Sequence, residues 1–500
     1  MKFRWSLLVA VLLTACIALL RINASTAVPF FSDDISYDYL SQISTFEQTK
    51  SLTYDNENVF HGERMIMHPV AIPFLWLFYA KQNTIFWYKI SLNIIASLVT
   101  FVIFLLSYEL SKSSSVSIGA AIISGVNPLW LFVSINSIST MPLFILLVTC
   151  GLYFLLLHAK RKKKRWVLIG TIFWSIACLL TPLFGIVALG LIIYLAYAAL
   201  VNQKVPEIHL ELTLFFVLLC SVFNYILYSK AFVVNGLLAL QAYASYLPYT
   251  SFKAILPFLP QLGILIIACA IYTINKAFSS DVKFRLYVLL CTGIGSASLA
   301  MMLLSSIPTE QGLVIISLVA IILTVVFFQE LLTYLQNTKL AHHAKTITGI
   351  ALLIIILSAA IPAYFYTISV LSQSTNAHVV SAYTWLKANT PKDALLITPV
   401  YEAHTSQYFA QRQTLMDSHN TARTDAKTRY KVLQSVYKTP YTAAVKEQLH
   451  SLGIRGDVYF IFTKEFTQTL TDKRLPLYAR SDGFITVYSS ADVTVVKTII

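Results

Sequence analysis

Repeated apolar runs of nearly membrane-spanning length govern what this chain can become. The first is Trp5 to Leu20; others cover about 85–110, 115–134, 140–158, 166–181, 183–200, 210–229, 254–275, 285–305, 312–335 and 347–370. A bilayer core asks for roughly 20 apolar residues per helix, and a chain in lipid must satisfy its backbone groups within each span. Mean hydropathy of +0.69, with 57% hydrophobic and 12% charged residues, excludes a soluble protein. The expectation is an α-helical polytopic membrane protein with about 11 transmembrane helices. The first run, behind Lys2 and Arg4, also has the look of a cleavable signal, but an uncleaved span is the preferred reading.

Basic residues orient the spans. Lys112, the run Arg161-Lys162-Lys163-Lys164-Arg165, Lys204, Lys276 with Lys283, and Lys339 with Lys345 fall in alternate connections. Lys and Arg near span ends favour the cytoplasm. The N-terminus is therefore expected inside, and the first connection and residues 371–500 outside. The same bias explains most of the net charge of +14, so a nucleic-acid partner is not expected. All six cysteines lie in the apolar runs, with no disulfide framework and no zinc spacing.

The polar segment 23–67 holds seven of the thirteen carboxylates that precede residue 371. It carries Asp33, Asp34, Asp38, Glu47, Asp55, Glu57 and Glu63, together with His61 and Arg64, and His68-Pro69 follows it. Such a concentration at one membrane face marks the place to look for chemistry. Two domains are expected: 1–370, membrane-embedded and including this first external loop, and 371–500, an extracytoplasmic α/β domain.

In the second domain, Ser381 to Ala388 reads as a helix start, Pro391-Lys392-Asp393 as a turn, and Ala394 to Thr398 as a short buried strand. Helices near 422–436 and 440–451 follow. Strands are expected at Asp457 to Thr463, 476–480, 484–489 and 493–499. Alternation of this kind favours a compact α/β fold. There is no GxGxxG or P-loop, and no internal repeat.

Three stretches carry a resemblance: Asp33 to Leu40, Tyr54 to Arg64, and His68 to Pro73. They resemble the first external loop of GT-C membrane glycosyltransferases, which include protein mannosyltransferases, lipid A aminoarabinose transferases and oligosaccharyltransferase catalytic subunits. Trp385 to Ala394, with Ala410-Gln411-Arg412 and Asp417, resembles the start of the external domain in the oligosaccharyltransferase-like branch. The resemblance implies transfer of a sugar from a polyprenyl-phosphate-linked donor to a protein, lipid or glycan acceptor at the outer face of the cell membrane.

It also implies roles. Asp33 or Asp34 corresponds to the first-loop acid, a catalytic base or metal ligand; the rival reading is a helix cap near Ile35. His61, Arg64 and His68 are candidates for the donor phosphate, against the reading of solvated loop groups. Asp55, Glu57, Glu63 and Glu310 are secondary acids, and Glu310 reads equally well as a surface residue at a helix start. No cofactor is expected; a divalent cation, Mg²⁺ or Mn²⁺, stays open. Tyr243, Tyr246 and Tyr249 read as an interfacial belt.

The chain departs from the pattern too. Pro399-Val400-Tyr401-Glu402-Ala403-His404 stands where oligosaccharyltransferases carry Trp-Trp-Asp-Tyr-Gly, and the connection Val133 to Thr140 has no acid. A non-catalytic lipid-binding or surface-assembly scaffold therefore remains the alternative function. A transporter is the third reading, disfavoured because Lys89, Glu109 and Glu330 lie near span ends.

Overall fold

The computed structural model describes residues 2–52, 55–56, 59–60, 63–64, 70–235, 259–279, 284–304, 306–418, 425–470 and 475–500, with only the backbone described at 2–3, 55–56, 63–64, 227–235, 259–260, 426 and 477. In chain order the helices are α1 (Lys2–Thr26), α2 (Ile35–Thr49), α3 (Ala71–Trp76), α4 (Thr84–Ser111), α5 (Ser114–Gly125), α6 (Pro128–Ser134), α7 (Met141–Arg161), α8 (Lys164–Leu180), α9 (Phe184–Leu200), α10 (Glu207–Asn235), α11 (Leu259–Leu262), α12 (Ile264–Ser279), α13 (Arg285–Leu303), α14 (Thr309–Gln336) and α15 (Ala344–Ser372). Then come α16 (Ala377–Asn389), α17 (Ala403–Ala410), α18 (Ala426–Lys438), α19 (Thr442–His450) and α20 (Lys464–Thr469). The strands are β1 (Asp55–Asn56), β2 (Glu63–Arg64), β3 (Leu395–Ile397), β4 (Gln413–Thr414), β5 (Asp457–Thr463), β6 (Ile485–Ser489) and β7 (Val493–Ile499).

Two compact units emerge. One comprises Met1–Pro29, His68–Leu227 and Leu247–Ser372; the other comprises Phe30–Met67, Tyr228–Tyr246 and Gln373–Ile500. The first is helical. Among the described residues seven helices are long and apolar enough to cross a membrane, or eight if α5 and α6, bent by 44° at their junction, act as one span. The remaining three of the eleven predicted runs are helical but short: α8 has 17 residues, α9 17 and α12 16. At 1.5 Å per residue that is roughly 25 Å, under the thickness of about 30 Å that a hydrocarbon core presents.

Within this unit α9 and α13 pack backbone to backbone. A Cβ on Gly190 would lie 2.7 Å from the Ile294 Cα, and one on Gly293 would lie 2.5 Å from the Gly190 carbonyl oxygen. Small residues at such crossings let helices gain contact where lipid offers no hydrophobic drive. Asn127 starts α6 by accepting a hydrogen bond from the Trp130 amide, with Pro128 at the first helical position. Outward apolar side chains such as Trp5, Leu8, Leu12, Leu19 and Leu20 of α1 stay exposed, as a lipid-facing surface requires.

The second unit is α/β. Its sheet runs β4-β3-β5-β7-β6; β4, β3 and β5 are parallel, and β7 and β6 close the other side antiparallel. Alternation along β5 sends Val458, Phe460 and Phe462 to one face, against Leu433 and Val436 of α18 and Val445 and Leu449 of α19. Tyr459 and Ile461 go to the other, against Ala382, Tyr383 and Leu386 of α16. Burying each of these large apolar side chains contributes roughly 1.5–3 kcal/mol.

Residues 476–480, expected as a strand, form a 3-10 turn, Leu477–Arg480, behind Pro476. Proline has no amide hydrogen for a ladder, and Tyr478 is buried against Phe460 and Phe484 instead. The expected helices near 422–436 and 440–451 appear as α18 and α19, and the helix begun at Ser381 starts earlier, at Ala377. The two-residue β4 was not expected. The tyrosines 243, 246 and 249 lie outside the described residues.

Candidate active site

In the second unit, α2 packs its Tyr37 ring against Tyr408 and Phe409 of α17, with ring centroids 5.8 and 5.2 Å apart. This aromatic contact joins the first loop to the segment that follows β3. The same segment supplies Glu402 and His404 at the carboxyl edge of the parallel strands, where open α/β sheets gather their functional groups.

Asp33 and Asp34 sit just ahead of α2 and do different things. Asp34 occupies the N-cap position of α2 but makes no side-chain capping bond there. Its carboxylate instead caps α17: Oδ1 accepts from the Thr405 amide and the Thr405 hydroxyl, each at 2.7 Å, and Oδ2 accepts from the His404 amide at 3.1 Å. An anion at a helix N-terminus meets unsatisfied amides and the positive end of the dipole. Both Asp34 oxygens are thereby engaged. Burial still raises its pKa, with the His404 charge and the Thr405 and His404 bonds opposing.

Asp33 accepts a hydrogen bond from the Ser36 hydroxyl. Burial pushes its carboxyl up to about 7; Ser36 opposes the shift and the neighbouring Asp34 charge adds to it. A carboxylate tuned close to neutrality is suited to accept and return a proton at physiological pH.

Behind this pair lies a buried polar network. His404, whose side chain is fully buried, stands 3.9 Å from Asp38 and 3.8 Å from Asp417. Its Nε2 faces Ser418 Oγ at 2.9 Å and its Nδ1 faces Gln407 Oε1 at 3.2 Å. Gln407 donates to Thr414 and Asp417, and Gln42 donates to Asp38. Burial disfavours the imidazolium, but the Asp417, Asp38 and Asp34 charges outweigh it and raise the His404 pKa to about 9. The cation is thus retained at neutral pH between two buried carboxylates, as buried charges require.

Glu402 completes the group. Its Oε1 accepts from Thr463 Oγ1 at 2.7 Å at the end of β5, and Oε2 lies 3.5 Å from the Tyr383 hydroxyl. Burial raises its carboxyl to about 8; the Thr463 bond opposes this, and the Asp34 charge adds to it.

The other candidates fall elsewhere. Glu57, His61 and His68 lie outside the described residues. Asp55 pairs with Arg64, and Asn56 with Glu63, in the backbone register of β1 and β2, and of these side chains nothing further is described. Glu310 is in the first turn of α14, in the other unit. Among the described residues no three His, Cys, Asp or Glu side chains converge as a metal site requires. The described acids do not fit a resident cation, and no chemical step is assigned to one.

Sequence reasoning passed over Glu402, His404 and Thr405. The signal was present in the segment Pro399 to His404, which places an acid and a histidine directly after a buried strand.

Neither a protein-family profile nor a curated protein matches this sequence. The fold does have solved counterparts. The archaeal oligosaccharyltransferase AglB from Archaeoglobus fulgidus, in complex with an inhibitory peptide and a dolichol-phosphate, superposes with TM-score 0.68 at 12% identity, over 98% of this chain and 73% of that one. The Archaeoglobus fulgidus oligosaccharyltransferase tethered to an acceptor peptide with the NVT sequon gives 0.66 at 11% identity, over 97% and 73%. ArnT from Cupriavidus metallidurans, bound to undecaprenyl phosphate, gives 0.57 at 13% identity, over 97% of each chain. The chain shares the fold of these solved proteins, and its long apolar helices are those of an integral membrane protein.

Proposed function

We propose that this protein is a membrane glycosyltransferase that moves a sugar from a polyprenyl-phosphate-linked donor to an acceptor at the outer face of the membrane. The observation that carries the reading is the division of labour between two adjacent acids. Asp34 is committed to the N-terminus of α17, and Asp33, raised to about 7, is held beside it.

Asp33 takes the proton of the acceptor hydroxyl or amide as that atom attacks the anomeric carbon. The bond from that carbon to the phosphate oxygen breaks, its electron pair stays on the phosphate, and the sugar is inverted. Asp34, His404, Asp38 and Asp417 touch no substrate in this scheme; they fix α17 and so hold the turn that presents Asp33. Arg64, His61 and His68 are proposed for the phosphate, since cationic and imidazole groups stabilise the charge that develops on the leaving group. Support for a lipid-phosphate donor comes from two of the structural counterparts, described with dolichol-phosphate and undecaprenyl phosphate. The positive-inside pattern of the connections supports the outer face, with residues 1–370 as the membrane domain and 371–500 as the external one.

The test is transfer of a radiolabelled sugar from polyprenyl-linked donors in membranes, comparing wild type with Asp33→Asn. A loss of 100-fold or more supports the base. Equal transfer by both proteins refutes it, and absence of any transfer or donor consumption by wild type favours the scaffold reading.

A further inference from the structure

Arg21 is a charged side chain within an apolar helix, and it is only 3% exposed. Its Nε donates to Asn93 Oδ1 at 3.1 Å and its Nη2 to Ser134 Oγ at 2.5 Å, so the guanidinium ties α1 to α4 and α6. Nη1 has no acceptor. Of the five N–H donors on a guanidinium, those two bonds use two. The remaining neighbour of note is the Trp130 ring, 5.9 Å from Cζ. No charge of opposite sign reaches Arg21 among the described residues.

A second buried cation stands beside it. Lys89 lies one turn before Asn93 on α4, is 3% exposed, and donates to the carbonyls of Ser25 and Val28 at 2.9 and 2.8 Å. The Ser25 hydroxyl, on the residue whose carbonyl accepts from Lys89, is fully buried and also lacks a partner. All of these groups belong to the helical unit. They lie within about two turns of the end of α1 that leads into the acidic segment.

A staple between three helices explains Nε and Nη2. It does not explain idle donors on a buried cation, since an uncompensated charge at such a place costs several kcal/mol. An anion satisfies donors of this kind. The planar fork of Arg matches phosphate oxygens, and a position near the end of a span is where the phosphate of a membrane lipid resides. We propose that Arg21, reinforced by Lys89, binds the phosphate of a polyprenyl carrier, as a seat within the spans that is additional to the loop residues Arg64, His61 and His68. This inference rests on the lipid-carrier reading given above.

The experiment uses the full chain in nanodiscs, titrated with undecaprenyl phosphate, with phosphatidylglycerol and inorganic pyrophosphate in parallel, and follows tryptophan fluorescence and melting temperature. Wild type is expected to saturate with undecaprenyl phosphate. Arg21→Met is expected to bind it at least tenfold more weakly, and Arg21→Lys, which keeps charge but loses the fork, to fall between them. Without ligand, Arg21→Met is expected to melt at or above the wild-type temperature, because an unpaired charge has been removed. Equal binding by wild type and both variants overturns the site and leaves the lipid-carrier reading intact. No binding by wild type overturns both. Equal stabilisation by phosphatidylglycerol overturns the carrier assignment, and saturation by pyrophosphate alone overturns the lipid. If Arg21→Met does not fold, the Arg21→Lys titration decides: weakened binding at unchanged melting temperature supports the site, and wild-type binding overturns it.

Discussion

The Asp34 carboxylate accepts both the backbone amide and the side-chain hydroxyl of Thr405, each at 2.7 Å, across 371 residues of sequence. A residue from the first loop thus serves as the N-terminal cap of α17, while its neighbour Asp33 faces Ser36, at the start of its own helix. Two adjacent acids of identical chemistry are separated by what they face.

Asp33→Asn is therefore expected to abolish transfer while the protein melts near the wild-type temperature. Asp34→Ala is expected to show the reverse emphasis. Loss of a cap costs about 0.5–2 kcal/mol, and each bond to a charged group about 1.5–3 kcal/mol, so a destabilisation of about 1–3 kcal/mol should be seen in thermal unfolding. Transfer in Asp34→Ala should fall less than in Asp33→Asn when both are assayed well below melting. The reverse ranking would assign the base to Asp34.

A base with a pKa of about 7 gives a definite pH dependence. Transfer should rise with pH along a limb centred near 7, because only ionised Asp33 accepts the acceptor's proton. Initial rates between pH 5 and 9 check this. A flat profile, or a limb near pH 4, would remove Asp33 from the proton transfer.

Helices and their order were legible because the bilayer imposes a length and a composition on every span. Strands at 394–398, 457–463, 484–489 and 493–499 were legible from apolar residues bounded by turn signals. The Asp34–Thr405 contact was not, since a cap is normally sought within a few residues of its helix and this one comes from 371 residues away. The burial of His404 between Asp38 and Asp417 was hidden for the same reason: each residue alone reads as an ordinary loop or helix polar group. Arg21 was overlooked because the first apolar run, taken by composition, stops at Leu20, whereas α1 continues to Thr26.

His404 predicts how the second unit responds to alkali. Its pKa is raised from an ordinary 6.5 to about 9 in the folded protein. The stabilisation is fully present below about pH 6.5 and is lost as pH rises through 9, on the order of 3 kcal/mol in all. Glu402, raised to about 8, and Asp33 act in the same direction over lower windows. Melting temperature should fall steadily from pH 6.5 to 9. His404→Gln, which removes the cation from between two carboxylates, should be less stable at pH 6.5 and show a shallower decline. An unchanged slope in that variant would assign the alkaline loss to other groups.

Orientation is checked with cysteines in place of Thr45, Tyr430 and Lys163. Impermeant reagents applied to intact cells should label the first two and spare the third, which lies in the basic connection between α7 and α8. Labelling at position 163 alone would place the first-loop acids on the cytoplasmic side and withdraw the outer-face reaction.

Ligand supply among the described residues sets the expectation for metal dependence. Mg²⁺ seeks about six oxygen ligands and Ca²⁺ six to eight. Asp34 has both oxygens engaged by α17, and Asp38 is held by Gln42 and His404. Among the described residues that leaves Asp33 without the companions a cation needs. A carboxylate base assisted by Arg64 at the donor phosphate needs no ion. Transfer is therefore expected to survive EDTA within about twofold, while Arg64→Ala lowers it by tenfold or more, in keeping with the loss of a group that stabilises developing charge. Complete loss on chelation, restored by Mg²⁺ or Mn²⁺, would overturn this and direct the search for ligands to Asp55, Glu57, Glu63 and Glu310.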